Sequence, residues 1–185
     1  MAPEMNLANK HIFIAGGSRG IGAASAKMLA SAGAKVSLTY QANQDAADQV
    51  LKNISDEDGQ AQAFQMAIED EGSVTQAVDQ AVENFGNLHG MVVSASVFEH
   101  CQIEDMSLEF WERVMSINLR GTVWCVKAAA KHMRAHGNAV PSSSTHPLPV
   151  NQVAEAVPVL MPSAKPVKSH SPVVWLTNSA QTKSA

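Results

Sequence analysis

Along the first three quarters of the chain, short apolar runs alternate with longer stretches in which apolar residues recur every three or four positions. Continuous apolar runs suit parallel strands buried on both faces, and the longer period suits helices that cover them, so the alternation predicts βαβ units. His11-Ile12-Phe13-Ile14-Ala15 reads as a first buried strand. A Gly-rich turn follows, then a helix with Ile21, Ala24, Ser25, Met28 and Leu29 on one face, closed by Gly33. Lys35 to Tyr40 predicts a second strand, and Ala47, Val50, Leu51 and Ile54 mark the inner face of a second helix. Ala61 to Ile68 predicts a third strand. Ser73, with Gln76 three residues on, has the form of a capping box before a helix that carries Val74, Ala77, Val78, Ala81, Val82 and Phe85. Met91-Val92-Val93 is a fourth strand, Ser107 a cap for a helix through Phe110, Trp111, Val114 and Met115, and a last helix runs from Gly121 to Arg134 with Gly137 as its stop.

Beyond Gly137 the pattern breaks. Seven of the eight prolines lie there, interleaved with Ser runs, and no period of two or 3.6 persists. Such a segment buries too little apolar surface to offset an ordering entropy of roughly 1 to 2 kcal/mol per residue. The expected organisation is therefore one domain over residues 7–137 and an irregular tail over 138–185.

Composition narrows the function classes. The chain has 185 residues, 45% of them hydrophobic, which suffices for one sizeable core. Its net charge of -4, without a basic block, argues against a nucleic-acid groove or a polybasic membrane patch, because both need clustered Lys and Arg. No stretch of about 18 apolar residues occurs, and Met1 to Lys10 lacks an apolar leader core, so a cytoplasmic location is expected. Cys101 and Cys125 have no metal-binding spacing and read as two buried thiols in a reducing compartment. His132 and His136 stand four apart near a helix end, but Met133 replaces the Glu of the zinc motif. They read as imidazoles favoured by the helix dipole, and no metal is expected.

The residues with chemistry lie between the first strand and helix: Ala15-Gly16-Gly17-Ser18-Arg19-Gly20-Ile21-Gly22. Glycines there allow a tight turn and close backbone approach to a pyrophosphate, while the free N–H groups of the helix start attract the anion. The second strand ends Thr39-Tyr40-Gln41, without the acid that accepts ribose hydroxyls in NAD enzymes, and Arg19 lies in the loop where a 2′-phosphate could meet it. This favours NADP over NAD.

The spacing Gly16-x-x-x-Gly20-x-Gly22 resembles the Gly motif of the short-chain dehydrogenase/reductase family, and Ile117-Asn118-Leu119-Arg120-Gly121 resembles that family's Asn motif. The resemblance spans about residues 7–137 and is strongest to reductases of the 3-oxoacyl-carrier-protein type. It implies an α/β fold, a Rossmann-type doubly wound parallel sheet, here incomplete with about four βα units. It implies a nicotinamide cofactor, a small carbonyl or alcohol substrate, and a homo-oligomer through the last helix. By position it assigns cofactor contacts to Gly16, Ser18, Arg19, Gly20, Ile21, Gly22, Tyr40, Ala67, Ile68, Ser94, Ala95 and Ser96. Asn118 would bend its helix and hold a water in the proton relay.

Three departures stand out. Ala67-Ile68 replaces the family's Asp-Val beside the adenine, so that contact is lost or passes to Glu69 or Asp70, and Val93-Ser94-Ala95-Ser96 replaces Asn-Asn-Ala-Gly. The family's catalytic Tyr-x-x-x-Lys is missing altogether: the sole tyrosine is Tyr40, in the second strand. Ser142, Ser143 or Ser144 stands near the catalytic Ser position, with Ser143 central, but Pro141 and the lost strand pattern disturb the geometry. Codons that encode Leu160 to Ser179, read one nucleotide earlier, allow Tyr-Ala-Val-Ser-Lys-Ala-Gly and then Leu-Ala-Asn-Glu-Phe-Gly, both typical of the family's catalytic helix. A frameshift or misread splice junction between about Asn138 and Leu160 would account for this. Three expectations follow: an impaired oxidoreductase, a non-catalytic nucleotide- or partner-binding remnant, or a chain that does not fold stably alone.

Overall fold

The structure is a computed structural model that describes residues 6–135 and the backbone of 174–177. Four parallel strands, β1 (His11–Ala15), β2 (Lys35–Tyr40), β3 (Gln60–Gln65) and β4 (Gly90–Val93), lie in the order β3-β2-β1-β4. Successive strand residues point to opposite faces. Along β1, Ile12 and Ile14 meet α1 (Gly20–Ser31) and α2 (Gln44–Ser55) on one side. Phe13 and Ala15 meet α3 (Glu71–Phe85) and α5 (Gly121–Ala135) on the other. Both faces are covered, as a parallel sheet requires. Phe13, Ile14, Val36, Leu38 and Met91 are fully buried, each worth about 1.5 to 3 kcal/mol of apolar transfer. The expected incomplete, doubly wound Rossmann sheet is thus what forms.

The structure differs from the pattern in four places. The inner face of α1 is Gly22, Ser25, Ala26, Leu29 and Ala30, one position on from the expected set, while Ile21 and Met28 are exposed. A Cβ at Gly22 would lie 2.0 Å from the Gly16 carbonyl oxygen, so Gly22 must face the turn, and that rotation carries Ile21 outward. β3 ends at Gln65, not Ile68: after Met66 donates to the Tyr40 carbonyl, the Ala67 N–H turns to the Ser73 hydroxyl. With its hydroxyl so engaged, Ser73 does not start α3. Asp70 does, accepting from the Ser73 N–H at 3.0 Å. Finally, the segment read as wholly irregular contributes a strand, β5 (Val174–Thr177), antiparallel to β4, with Gly90 opposite Thr177 and Val93 opposite Val174. Without β5 the outer edge of β4 would present unpaired backbone groups, and an extended segment of either direction satisfies them.

α4 (Leu108–Met115) begins at Ser107, whose hydroxyl accepts from Phe110 N–H as expected. It continues into α5 through a π-turn over Ser116–Arg120, which contains Asn118. Both cysteines are free, but of the two thiols expected to be buried only Cys125 is; Cys101, in the loop after β4, is half-buried. Cys125 is buried between α5 and the sheet, and burial pushes its thiol up to about 12, so it packs as a small apolar group.

A polar file crosses the N-terminal end of the sheet. Asn84 Nδ2 donates to Gln62 Oε1, Gln62 Nε2 to Ser37 Oγ, and Ser37 Oγ pairs with His11 Nε2 at 2.8 Å. His11 Nδ1 bonds the Gly86 carbonyl at 2.9 Å, which assigns the neutral imidazole its proton there and makes Nε2 the acceptor. Burial lowers the His11 pKa below 6.5, aided by the His89 and Lys35 charges and opposed by the Gly86 carbonyl. The unfolded chain therefore takes up a proton first as pH falls. The His11 contribution is whole above about pH 6.5 and is lost from there down to the folded pKa, at no more than about 1.4 kcal/mol per pH unit. Denaturant midpoints measured from pH 7.5 to 5 should fall more steeply for the parent chain than for His11→Gln; equal slopes would exclude His11 as the source. His89 is shifted down as well, chiefly by burial, and supplies the slope that remains in the variant.

Candidate functional site

At the C-terminal ends of the strands lies a cleft of about 330 Å³. Sheets of this topology bind ligands there, where the connections leave β1 and β4 in opposite directions. Its floor is the β1–α1 turn. Gly16 has φ +80 and would place a Cβ 2.6 Å from the Ala95 nitrogen, so only glycine lets this turn pass under the chain leaving β4. Thr39 is buried and holds the turn from beside: its hydroxyl accepts from Gly16 N–H at 3.0 Å and its carbonyl from Gly17 N–H at 2.9 Å.

What remains is an open helix start. α2, α3 and α4 are capped by the side chains of Asn43, Asp70 and Ser107, whereas at α1 the Arg19 side chain makes no cap bond and no acid lies in the first turn. The first N–H groups of a helix need an acceptor, and here they face the cleft with the positive end of the helix dipole behind them. An anion fits that position.

Of the residues expected at the cofactor, Gly16, Ser18, Arg19, Gly20, Ile21, Tyr40, Ile68, Ser94, Ala95 and Ser96 line this one cleft. Gly22 and Ala67 do not: Gly22 packs under the turn, and Ala67 is tied to Ser73. Sequence reasoning passed over Thr39, Gln41, Met66, Val97 and Ile117, which also line it. Met66 and Ile117 carry no signal apart from apolarity, but Thr39, like Ser37 two residues before it, is a hydroxyl among the apolar residues of β2, and it stands beside the turn.

Asn118 is the clamp of the β4 loop. Its Oδ1 accepts from Val97 N–H and its Nδ2 donates to the Val97 carbonyl, each at 2.8 Å, so one side chain satisfies both backbone groups of a cleft residue. The π-turn turns the amide toward this loop, and Thr122 Oγ1 bonds the Asn118 carbonyl at 2.9 Å. Arg113, one turn before, holds Glu99 of the same loop in a two-pronged ion pair.

At the far end of the cleft, Gln41 Nε2 donates to Glu69 Oε1 at 3.1 Å. Glu69, in the chain after β3, thus pairs with the residue that follows β2. Of the two candidates for a lost adenine contact, Asp70 is spent on capping α3. Ser142, Ser143, Ser144 and His136 lie outside the described residues. His132 bonds Asp79 across the α3–α5 groove. Among the described residues, no three His, Cys, Asp or Glu side chains group to hold a metal, and no helix is long and apolar enough to cross a membrane.

A doubly wound sheet with a glycine turn and an uncapped helix at its switch point defines a nucleotide-binding protein of the Rossmann class. Residues 10–153 match the short chain dehydrogenase family, and the chain belongs to it. It is 35% identical over 133 residues to a short-chain dehydrogenase/reductase of Cladobotryum sp, covering 72% of this chain and 52% of that protein. A 3-oxoacyl-[acyl-carrier-protein] reductase of Synechocystis sp. is 34% identical over 120 residues, 65% of this chain and 49% of that one. Among solved structures, a short chain dehydrogenase from Burkholderia cenocepacia in complex with NADP superposes with a TM-score of 0.67 at 36% identity, over 69% of this chain and 52% of that one. A Serratia marcescens short-chain dehydrogenase/reductase gives 0.67 at 40% identity, over 68% and 51%. The chain spans about half the length of the curated relatives it matches.

Proposed function

We propose that this chain binds NADP(H) in the cleft and carries the nucleotide-binding half of a carbonyl reductase without completing its proton transfer. The uncapped start of α1, facing the cleft beside Arg19, carries this reading. The turn and first N–H groups of α1 receive the pyrophosphate, and Ser94 to Val97 border the nicotinamide side. Arg19 meets the 2′-phosphate. The relative in complex with NADP supports the choice of cofactor. Hydride transfer to a small carbonyl substrate would be chemistry of the cofactor, and the protein's share is a proton donor within hydrogen-bond reach. Tyr40, the sole tyrosine, lines the nucleotide end of the cleft, and neither it nor Asn118 supplies that donor. Exposed Leu108, Trp111, Leu119 and Val123 on the α4–α5 helix suit a second copy, and the cytoplasm suits free thiols and a dissolved cofactor.

Calorimetric titration tests this directly. NADPH should bind more tightly than NADH, and Arg19→Ala should weaken NADPH about tenfold while leaving NADH nearly unchanged, the loss expected for one charge-assisted phosphate contact. Turnover with carbonyl substrates should stay at background. Absence of binding by either nucleotide refutes the cleft assignment, and appreciable turnover refutes the account of the missing tyrosine.

A further inference from the structure

The glycine turn under the cleft leans on one residue of β2. β1 and β2 pair in parallel as far as Ile14 and Leu38, and the ladder gives way where Gly16 turns with φ +80. Two N–H groups leave the ladder there, and Thr39 receives both, Gly16 on its hydroxyl at 3.0 Å and Gly17 on its carbonyl at 2.9 Å. Any residue at this place supplies the carbonyl, but the hydroxyl belongs to Thr39. Packing does not call for it: Thr39 is 2% exposed, and valine has the same branched shape and suits a strand as well. Burying a hydroxyl is costly unless it is hydrogen-bonded, and the bond that offsets the cost here goes to the turn. The other hydroxyl of β2, on Ser37, serves His11 and Gln62, outside the cleft lining. Close packing leaves the turn little room: a Cβ at Gly17 would lie 2.5 Å from Leu38 Cβ, and one at Gly16 2.6 Å from the Ala95 nitrogen.

Resting on the nucleotide reading above, we propose that Thr39 is a positioning residue for the cofactor, whose hydroxyl fixes the path of the glycine turn and so sets nucleotide affinity through Gly16. Without the hydroxyl, Gly16 keeps a part-buried N–H that has lost its acceptor. Glycine has the freedom in φ to relieve this by rotating, and the turn then spreads over several paths. On only some of them does the start of α1 present its N–H groups to a pyrophosphate. The ligand has to select that fraction, and the apparent Kd rises by its inverse.

The test separates affinity from stability in the full chain, Thr39→Val and Thr39→Ser. Calorimetric titrations with NADPH are run in an excluded osmolyte, with circular dichroism to verify that each chain is folded before ligand is added. Thr39→Val keeps the shape and loses the hydroxyl, and its NADPH affinity should fall about tenfold, the scale of one buried donor left unpaired. Thr39→Ser keeps the hydroxyl and loses a buried methyl. Its urea midpoint should drop while its NADPH affinity stays within about twofold of the parent. A role in stability alone does not produce this split. Amide exchange supplies the matching signature: in Thr39→Val the Gly16 N–H should exchange about tenfold faster or more, and Gly17, whose acceptor is the Thr39 carbonyl, much less so. A folded Thr39→Val that binds NADPH within about twofold of the parent overturns the inference and leaves the cleft as a nucleotide site. So does an equal loss of affinity in both variants, which would assign the effect to the methyl group. Failure of the parent to bind NADPH removes the nucleotide reading itself and the inference with it.

Discussion

On the function proposed above, a single-nucleotide insertion between the codons of Asn138 and Leu160 is expected to add carbonyl-reductase turnover to nucleotide binding. In that frame the boundary of Leu160 and Met161 can encode Tyr followed by Ala, and the codons through Ser179 can encode a catalytic helix of the family to which residues 10–153 belong. A positioned general acid contributes about 10²- to 10⁴-fold, so kcat should rise from background by at least the lower figure. A lysine four residues on would hold the tyrosine's pKa near working pH and extend the gain. The Kd for NADPH should change much less, because the glycine turn, Arg19 and Thr39, to which the proposed function assigns the nucleotide, all precede the junction. Substituting Phe for the restored tyrosine should return turnover to background with binding intact. A coding sequence without Tyr-x-x-x-Lys in the neighbouring frame, or an insertion that leaves kcat at background, would refute the frame hypothesis.

How far the site could be read from sequence depended on whether function was written in side-chain identity or in chain path. Gly16 and Gly20 announce a backbone that must turn with φ +80 and +56, and such demands exclude most other residues, so the motif is legible once it is placed between a buried strand and a helix. Asn118 was legible for its place in a motif, but its partner was not: Val97 is 21 positions away, and nothing local marks a backbone as the recipient of an amide. Between Glu69 and Asp70 the sequence makes no distinction, because it does not say which carboxylate caps α3; the structure gives that place to Asp70 and pairs Glu69 with Gln41. The exit of β3 was misplaced for a related reason. Apolar residues continue through Met66 and Ile68, and they are buried as the pattern demands, but they are buried in a loop whose hydrogen bonds have passed from β2 to Ser73. Periodicity reports burial and is silent about which ladder a backbone joins. The antiparallel strand at Val174–Thr177 was missed because four residues amid prolines carry no period, and because an exposed sheet edge selects for extended backbone more than for sequence.

Removing the Asn118 side chain should uncouple the β4 loop from the helix and weaken both folding and nucleotide binding. In Asn118→Ala the Val97 N–H and carbonyl, both part-buried, lose their partners together. At about 1 kcal/mol for each neutral hydrogen bond, the loss is about 2 kcal/mol, with up to about 1 kcal/mol more if water does not reach the vacated groups. Urea denaturation should show this as a lower midpoint at unchanged slope. The affinity for NADPH should fall in the same variant, because Ser94, Ala95, Ser96 and Val97 form one wall of the cleft and are held in place through Val97. Asn118→Asp separates the two bonds. Its carboxylate still accepts from Val97 N–H but sets a second oxygen against the Val97 carbonyl, so at pH 7 it should be at least as destabilised as the alanine variant. Below about pH 4 the carboxyl protonates, its O–H can donate to that carbonyl, and the deficit relative to the parent at the same pH should shrink. An Asn118→Ala midpoint within about 0.5 kcal/mol of the parent would show that the loop is held by other means, the Arg113 pair to Glu99 being the nearest.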